Sequence, residues 1–560
     1  MQKMLSLFLA LIWVLAAMPA AFASEPYTLD IYWVGAGDNP EVRAEVEAAI
    51  NEHIEPLIDA HVSFHIIPWD DWKTDVVDVL LDEDTRKDEK TKMDLVFTAD
   101  WEYYSDLQEA GALLELDDLL EQEAPETFKS LEGYWDGVKI RKRIYGVPTN
   151  KELCVPMGFL VNKTAAEAIG WDFESEEGQI TCTADLEPWL QKYKEMFPDK
   201  YPYLMDPGSG AMGRWVDEPW INDWSGMEQN ALAMKMAKQE DGTFDETVYS
   251  IFETPEQEAH IRLMYKWAQA GYIDPEAIHY TDEGHGLFGK GDFLVYTQPL
   301  KGNNIKAVEM YTQYHREEDE PYEIAEIILQ PKYIVTAHSA GSMFAIPKAG
   351  EVDPDRAIQY LNLMHTDAEL VNLMLFGVEG KNYTRIDDKK VKLTDTPWYT
   401  VHAGAWTVGD VRLQYVLENE DPEKNEKLIA FAEDAEKTSS LGFRFNQKKV
   451  RKAEKKAAEA YREELEAALN AIAEANEENA ERYAVYGKAA LTGLKVLEDP
   501  FAAVTAVVKE YGYPLMMGLT DPDDPEKGLE SFRQALKDAG IDFLREAAQE
   551  QYEDWKNAQK

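Results

Sequence analysis

Residues 93–152 decide how this chain reads: MDLVFTADWEYY (93–104), a helical stretch, then IYGVPTNKE (144–152). Each quoted piece is an apolar run that passes into polar and aromatic residues, as when a buried strand ends in an exposed loop. Open α/β sheets bind ligands in the crevice beyond the carboxyl ends of their strands. The two loops therefore point to a cleft and not to a reaction.

Working outward, YTLDIYWV (27–34) reads as a strand. Val42, Val46, Ile50, Ile54 and Leu57 give helical spacing over 40–57, and Val62, Phe64 and Ile66 alternate as in a second strand. A helix near 71–81 leads into the strand at 94–97. This βαβαβ order predicts a mainly parallel, doubly wound α/β sheet. Beyond Glu152 come an apolar run at 155–161 and a stretch rich in Trp and Tyr that holds Trp215, Trp220 and Trp224. Strand candidates at 292–297 and 342–346 follow, the latter running into a helix from Asp353, so the chain is expected to cross between lobes more than once. Residues 447–487 are charged and helical, and their stripe of Tyr461, Leu465, Ala468, Ile472 and Ala475 reads as packing before it reads as a partner helix. Two helices separated at Gly540 end the chain, the last carrying Ile541, Leu544, Ala548, Tyr552 and Trp555 along one face.

Residues 1–23 have one lysine, an apolar run at 5–17 and a small-residue site at Ala21-Phe22-Ala23, the pattern of a cleavable export signal. The remainder far exceeds the roughly 100–200 residues of one domain, so at least two core-bearing units are expected. With Asp and Glu at 106 against 56 Lys and Arg, the chain has a net charge of −50, which repels phosphate backbones and anionic lipids. Nucleic acid and membrane surface are accordingly not expected partners. Cys154 and Cys182 fit either one disulfide or two free thiols, and neither reading makes a zinc or redox site.

Chemistry is hard to find. Carboxylates are too abundant for any pair to mark a glycosidase. The ten His residues contain no HExxH, and Gly208-Ser209-Gly210 lacks the spacing of a nucleophile elbow. GHGLFGK (284–290) opens like a phosphate loop, but Gly291 stands where Ser or Thr must hold magnesium. LDEDT (81–85) and DPDDPE (521–526) lack the alternating ligands and central Gly of a calcium loop. No metal and no cofactor are expected. Aromatic side chains give the positive signal, because a sugar ring offers apolar C–H faces to a Trp and hydroxyls to polar neighbours. Trp33 ends the first strand and Trp101 follows Asp100 at the end of another, where a cleft would lie.

Several long blocks then occur in a familiar order: MDLVFTADW (93–101), LLELDDLLEQEAPET (113–127), IYGVPTNKE, AIQYLNLMHTDAELVNLMLFGVEGKNY (357–383), AWTVGD (405–410), LGFRFN (441–446) and LKDAGIDFLREAAQEQYEDW (536–555). On these the chain resembles the extracellular solute-binding proteins of ATP-driven importers, of the carbohydrate-binding family 1 type with an extra C-terminal domain of unknown function. The resemblance implies a two-lobed periplasmic-binding-protein-like (type II) fold, each lobe a doubly wound mixed α/β sheet flanked by helices, with a helical C-terminal extension. Lobe 1 would hold 24–152 and about 335–380, lobe 2 153–334 and about 381–445, and the C-terminal region 446–560. Hinges are expected after 147–150 and near 337–342.

By the same resemblance, Trp33, Asp38, Asp100, Trp101, Thr149, Asn150, Lys151 and Glu152 line the cleft from lobe 1, and Tyr296, Gln298 and Trp406 line it from lobe 2. Glu379 and Tyr383 are expected to brace the hinge. The implied partners are a small polar ligand, an oligosaccharide above all, and a membrane permease, with the binding protein itself a monomer. Two departures stand out. Ser24 occupies the place of the family's lipid-attachment cysteine, and the segment at about 466–499 is longer than its counterpart. The competing reading is a secreted carbohydrate-active enzyme, a hydrolase or lyase, which needs a cleft carboxyl pair with one raised pKa.

Overall fold

Strand β1 (Tyr27–Gly35) and strand β2 (Ala60–Pro68) run parallel, from Tyr27 opposite Ala60 to Gly35 opposite Pro68, with helix α1 (Pro40–Ile58) as their crossover. The computed structural model describes residues 25–559 except 38, 89, 206–216, 218–219, 222–230, 236–237, 240, 281–282, 317 and most of 454–498. Helix α1 starts where the sequence supplies a cap: Asn39 accepts from the Val42 amide, and Pro40 occupies the first turn. Val42, Val46, Ile50 and Ile54 face the sheet as their spacing requires. Leu57, the last member of that stripe, is 53% exposed, because the helix ends one residue later beside Pro56.

Strand β3 (Leu95–Thr98) lies on the other side of β1 and is buried throughout. Helix α2 (Tyr104–Glu109) and strand β4 (Val147–Pro148) follow. The chain then builds strands β5 (Met157–Asn162) and β6 (Tyr203–Leu204), helix α3 (Pro255–Gln269), and strands β7 (Val295–Pro299) and β8 (Ile324–Ile328). It returns to the first sheet as strand β9 (Met343–Ala345), followed by helices α4 (Pro354–Thr366) and α5 (Ala368–Phe376). The first sheet has the order β2-β1-β3-β9-β4, with β9 antiparallel to both its neighbours. The second has the order β8-β5-β7-β6, with β5 antiparallel to β7 and β8. Two mixed sheets, with the chain passing from the first to the second and back, give the α/β fold expected from the sequence.

Each sheet has its own core. Leu29, Ile31, Phe64, Leu95, Phe97 and Phe344 belong to the first, and Phe159, Val161, Tyr203, Trp267 and Val295 to the second. A third core unites the chain's end with its middle. Phe443, Phe445, helix α6 (Pro500–Val507), helix α7 (Leu529–Asp538) and helix α8 (Ile541–Gln559) bury Phe501, Phe532, Leu536, Leu544 and Tyr552 against Leu232, Met234, Val248, Phe252 and Ile261. Trp555 packs at the edge of this core, completing the face read from the sequence.

One boundary differs from expectation. Residues from about 381 were expected with the second sheet, yet Tyr383, Val391, Trp398, Val401, Val408 and Leu417 all bury in the first core. The cause is the apolar surface of α5: Tyr383 meets Phe376 at 5.7 Å, and Trp398 donates its indole N–H to the Met374 carbonyl at 2.7 Å. Farther on, Glu436–Lys437 pairs with Tyr333–Ile334. Both thiols are free, with Cys154 buried and pushed up to about 11 by that burial. GHGLFGK lies in a helix, Glu283–Lys290, and forms no phosphate-cradling loop. Among the described residues no helix is long and apolar enough to cross a membrane. Asp38, Trp215, Trp224, Tyr461, Leu465, Ile472 and Ala475, the residues 1–23 read as an export signal and nearly all of the long segment at 466–499 lie outside the described residues.

Phe532 is fully buried between Phe252, at 4.8 Å, and Tyr511, at 6.2 Å. Phe532→Ala is expected to cost about 3–5 kcal/mol, read as a lowered denaturant midpoint. A variant as stable as the parent would show that the C-terminal helices do not share a core with residues 231–261.

Candidate functional site

The first sheet reverses its winding between β1 and β3, since the chain goes from β1 outward to β2 and then back across to β3. A reversal of this kind opens a crevice at the strands' carboxyl ends. Three tryptophans gather at this end of the sheet. Trp69 follows β2 directly, Trp101 lies in the turn after β3, and Trp406 comes from the distant turn Ala405–Thr407. Trp69 and Trp101 stand 5.8 Å apart, and Trp101 and Trp406 6.2 Å apart, with interplanar angles of 37° and 42°. Phe97 supports them from below, its ring edge-on to Trp69 at 6.1 Å and to Trp406 at 5.7 Å. Trp101 is 49% exposed and Trp69 43%, so a broad aromatic surface faces outward from a rigid strand end. Trp101 is further fixed by its indole N–H, which donates to the Gly341 carbonyl at 2.9 Å.

Trp33 does not join this surface. It is fully buried, stacked on His402 at 4.3 Å, and donates to the Thr407 hydroxyl at 3.0 Å. Its place is in the layer beneath, where it holds the turn that presents Trp406. His402 is locked as well, since the Gly404 amide donates to Nδ1 and Nε2 therefore donates to the Leu375 carbonyl at 2.9 Å. Burial lowers this imidazole to about 4, so it is neutral. Trp406 was expected from the second lobe; it packs on the first core because residues 383–417 do. Trp69 was missed by the sequence reading. It carries the same signal as Trp101, a tryptophan just past a strand, and stands two residues before the helix expected at 71–81.

Asp100 is buried and is occupied by the polypeptide. Arg444 of LGFRFN donates to it at 2.8 Å, and to the carbonyls of Lys139, at 3.0 Å, and Gly137. Burial raises the Asp100 pKa and the guanidinium opposes that rise. Thr149 and Asn150 are likewise committed. The Thr149 amide donates to Ser342 O at 2.9 Å, and the Asn150 amide to Gly409 O at 2.8 Å. Asn150 Nδ2 donates to Asp410 at 2.8 Å, and its Oδ1 accepts from Tyr134 at 3.1 Å. Gly409 is required for this approach: its φ is +48°, and a Cβ there would lie 1.7 Å from the Met364 carbonyl.

Lys151 and Glu152 open a buried chain of charges. Lys151 pairs with Glu152 at 2.8 Å, which lies 3.8 Å from Lys301; Lys301 pairs with Glu309 at 2.9 Å, Glu309 with Lys424 at 3.2 Å, and Lys424 with Glu420 at 2.6 Å. Three ammonium groups thus balance three carboxylates. Burial alone would raise the Glu152 pKa, but Lys151 and Lys301 prevail and hold it at about 2. Glu309 is held far below the ordinary range against the same penalty of burial by Lys301 and Lys424. Gln298 is buried three residues before Lys301 on the same chain segment. Among the described residues, Glu152 Oε2 and Gln298 Nε2 have no hydrogen-bond partner. Tyr296 points the other way, into the core with Phe288 at 6.0 Å. Tyr383 is buried against Phe376, and Glu379 bridges to it across the turn.

Residues 496–557 match the family model described as a domain of unknown function, DUF3502. A carbohydrate ABC transporter substrate-binding protein of Streptococcus pneumoniae is 25% identical over 437 residues, covering 77% of this chain and 81% of that protein. The structure of the N-glycan transport solute-binding protein NgtS from S. pneumoniae superposes with a TM-score of 0.70 at 20% identity, over 95% of this chain and 100% of that one. Its complexes with Man1GlcNAc and Man5GlcNAc give TM-scores of 0.64 and 0.62 at 19% identity, over 95% of this chain and 99% of each. The resemblance read from the sequence therefore stands, in fold and in its C-terminal domain.

Because Glu152 is lowered, its contribution to stability is complete above the ordinary carboxyl value near 4.5 and is lost as pH falls toward 2. Glu152→Gln is expected to cost about 3 kcal/mol near neutrality by leaving buried ammonium groups under-compensated. It should also flatten the decline in melting temperature between about pH 4.5 and 2, and an undiminished decline would remove Glu152 from the network.

Proposed function

We propose that this chain, which has the fold and C-terminal domain of the extracellular solute-binding proteins of ABC importers, captures an oligosaccharide and delivers it unchanged to a membrane permease. The observation that carries this reading is the surface of Trp69, Trp101 and Trp406 at the strand ends of a sheet that reverses its winding. Pyranose rings present apolar C–H faces that settle on such rings, and each aromatic contact contributes through burial of apolar surface. Glu152 Oε2 and Gln298 Nε2, without partners among the described residues, match the sugar hydroxyl, which both donates and accepts.

Of the eleven residues first assigned to the cleft, Trp101 and Trp406 keep direct contact with ligand, and Trp69 joins them. Gln298 and Glu152 supply polar contacts. Trp33, Asp100, Thr149, Asn150 and Lys151 position the walls, since their polar groups are already engaged by the protein. Capture follows from lobe closure, which needs contacts made better in the closed form than in the open one. The relative's carbohydrate importer name and the two glycan complexes of NgtS support a glycan as the ligand class.

The test is calorimetry and thermal unfolding with Man1GlcNAc, Man5GlcNAc and xylose- and glucose-based oligosaccharides, followed by chromatography of the sugars. A bound sugar at about 100 times its Kd should add about 2.7 kcal/mol of stability and be recovered intact. Trp101→Ala should weaken binding at least tenfold, about 1.4 kcal/mol. Conversion of the sugar by purified protein would replace this reading with the enzymatic one, and absence of binding across the panel would end it.

A further inference from the structure

A hollow with a volume of about 470 Å³ lies between α2 and the C-terminal helices. That size is within the range of small-molecule sites, roughly 300–1,000 Å³. Three aromatic rings line it: Tyr103 from the first lobe, and Phe445 and Phe501 from the C-terminal region. Asp106 and Glu109 contribute carboxylates from α2, and Lys448, Arg451 and Lys509 contribute cations from the other wall. Lys448 and Lys509 form no ion pair within 4 Å among the described residues, whereas Arg451 pairs with Asp499 at 3.3 Å and lies over the Phe501 ring at 4.6 Å. The Ser105 hydroxyl on the same wall is buried with no partner among the described residues.

Two features tie this hollow to the tryptophan surface. Tyr103 belongs to the same turn as Trp101, two residues on, which limits their Cα separation to roughly 7 Å. Its φ is +56°, a left-handed conformation that an aromatic residue seldom adopts and that functional sites often retain. Carboxylates on one wall repel an anionic ligand and cations on the other repel a cationic one. A neutral polyol suits both, accepting from ammonium and guanidinium and donating to carboxylate and Ser105, with its C–H faces on the rings.

Resting on the reading under Proposed function, we infer that this hollow is a distal saccharide subsite, in which the C-terminal domain receives a neutral sugar unit of the same oligosaccharide that lies on the tryptophans. The C-terminal domain then selects for ligand length. A chain of two sugars would occupy the tryptophan surface alone, and a longer or branched one would reach both.

Ala502 and Ala506 line the hollow from α6 and are exposed, so a large side chain there fills space without entering a core. Calorimetry on the full mature chain measures the ratio of Kd for Man1GlcNAc to Kd for Man5GlcNAc, and the same ratio for two- and six-unit xylose- and glucose-based chains. The parent is expected to bind at least one longer sugar at least tenfold more tightly, and Ala506→Trp to remove most of that preference. Lys448→Ala with Lys509→Ala should shrink it about threefold, and matching melting temperatures confirm that each variant is folded. An undiminished preference in both variants, or a parent with no length preference, overturns the distal subsite. If Trp101→Ala still weakens every sugar in that case, the reading under Proposed function survives alone. A parent that binds no sugar overturns both.

Discussion

The fold turns on the place where Asn150 is held. One short segment carries the chain from the first sheet to the second, and it is fastened by Tyr134, by Ser342 and by the neighbouring Gly409 and Asp410, three separate places in the sequence. Hydrogen bonds among such buried groups are costly to leave unmade, so each partner fixes the others. The glycine is the tightest constraint, because any side chain at Gly409 would run into the Met364 carbonyl of α4. With this point fixed, strand β9 takes its place next to β3, and the turn bearing Trp406 is brought back to the strand ends. The charge chain from Lys151 to Glu420 starts at the next residue, and its alternation of signs compensates six buried or half-buried charged side chains.

The tryptophan surface shows how a sheet gathers one exposed aromatic face from elements that would otherwise be unrelated. Winding reverses between β1 and β3, so the loops leaving those strands part and leave the ends accessible. Phe97 at the end of β3 gives the three indoles a common floor, and Trp33 and His402 form the layer below the third. Trp101 is held by its bond to the Gly341 carbonyl, and the turn that bears Trp406 by the bond from Trp33 to the Thr407 hydroxyl.

Much of this was legible in the sequence, and the limits have physical causes. The spacing of Val42, Val46, Ile50 and Ile54 identified α1, and alternation at Val62, Phe64 and Ile66 identified β2, because burial of one face imposes a period. Strand ends could be located, which is why Trp101 was found. Side-chain direction could not. Trp33 and Tyr296 also stand near strand ends, but they point inward, and a strand's period of two makes that outcome depend on a register no local pattern reveals. Asp100, Thr149 and Asn150 lie where the motifs place them, yet their partners Arg444, Ser342 and Asp410 are hundreds of residues away. The family blocks contained those partners without saying which side chain meets which. Residues 383–417 were assigned to the wrong core for the same reason, since the apolar face of α5 that claims them is visible only in three dimensions.

The attachment of the C-terminal helices has a mechanical outcome. Their core merges with residues 231–261, which adjoin the second sheet through α3, while Arg444 grips Asp100 and two carbonyls of the first unit. The C-terminal helices and the segment leading into them therefore form a tie, rooted in one unit and fastened to the other through a single guanidinium. Any separation of the two units at this point has to break the bonds of that one side chain, which are costly to leave unmade.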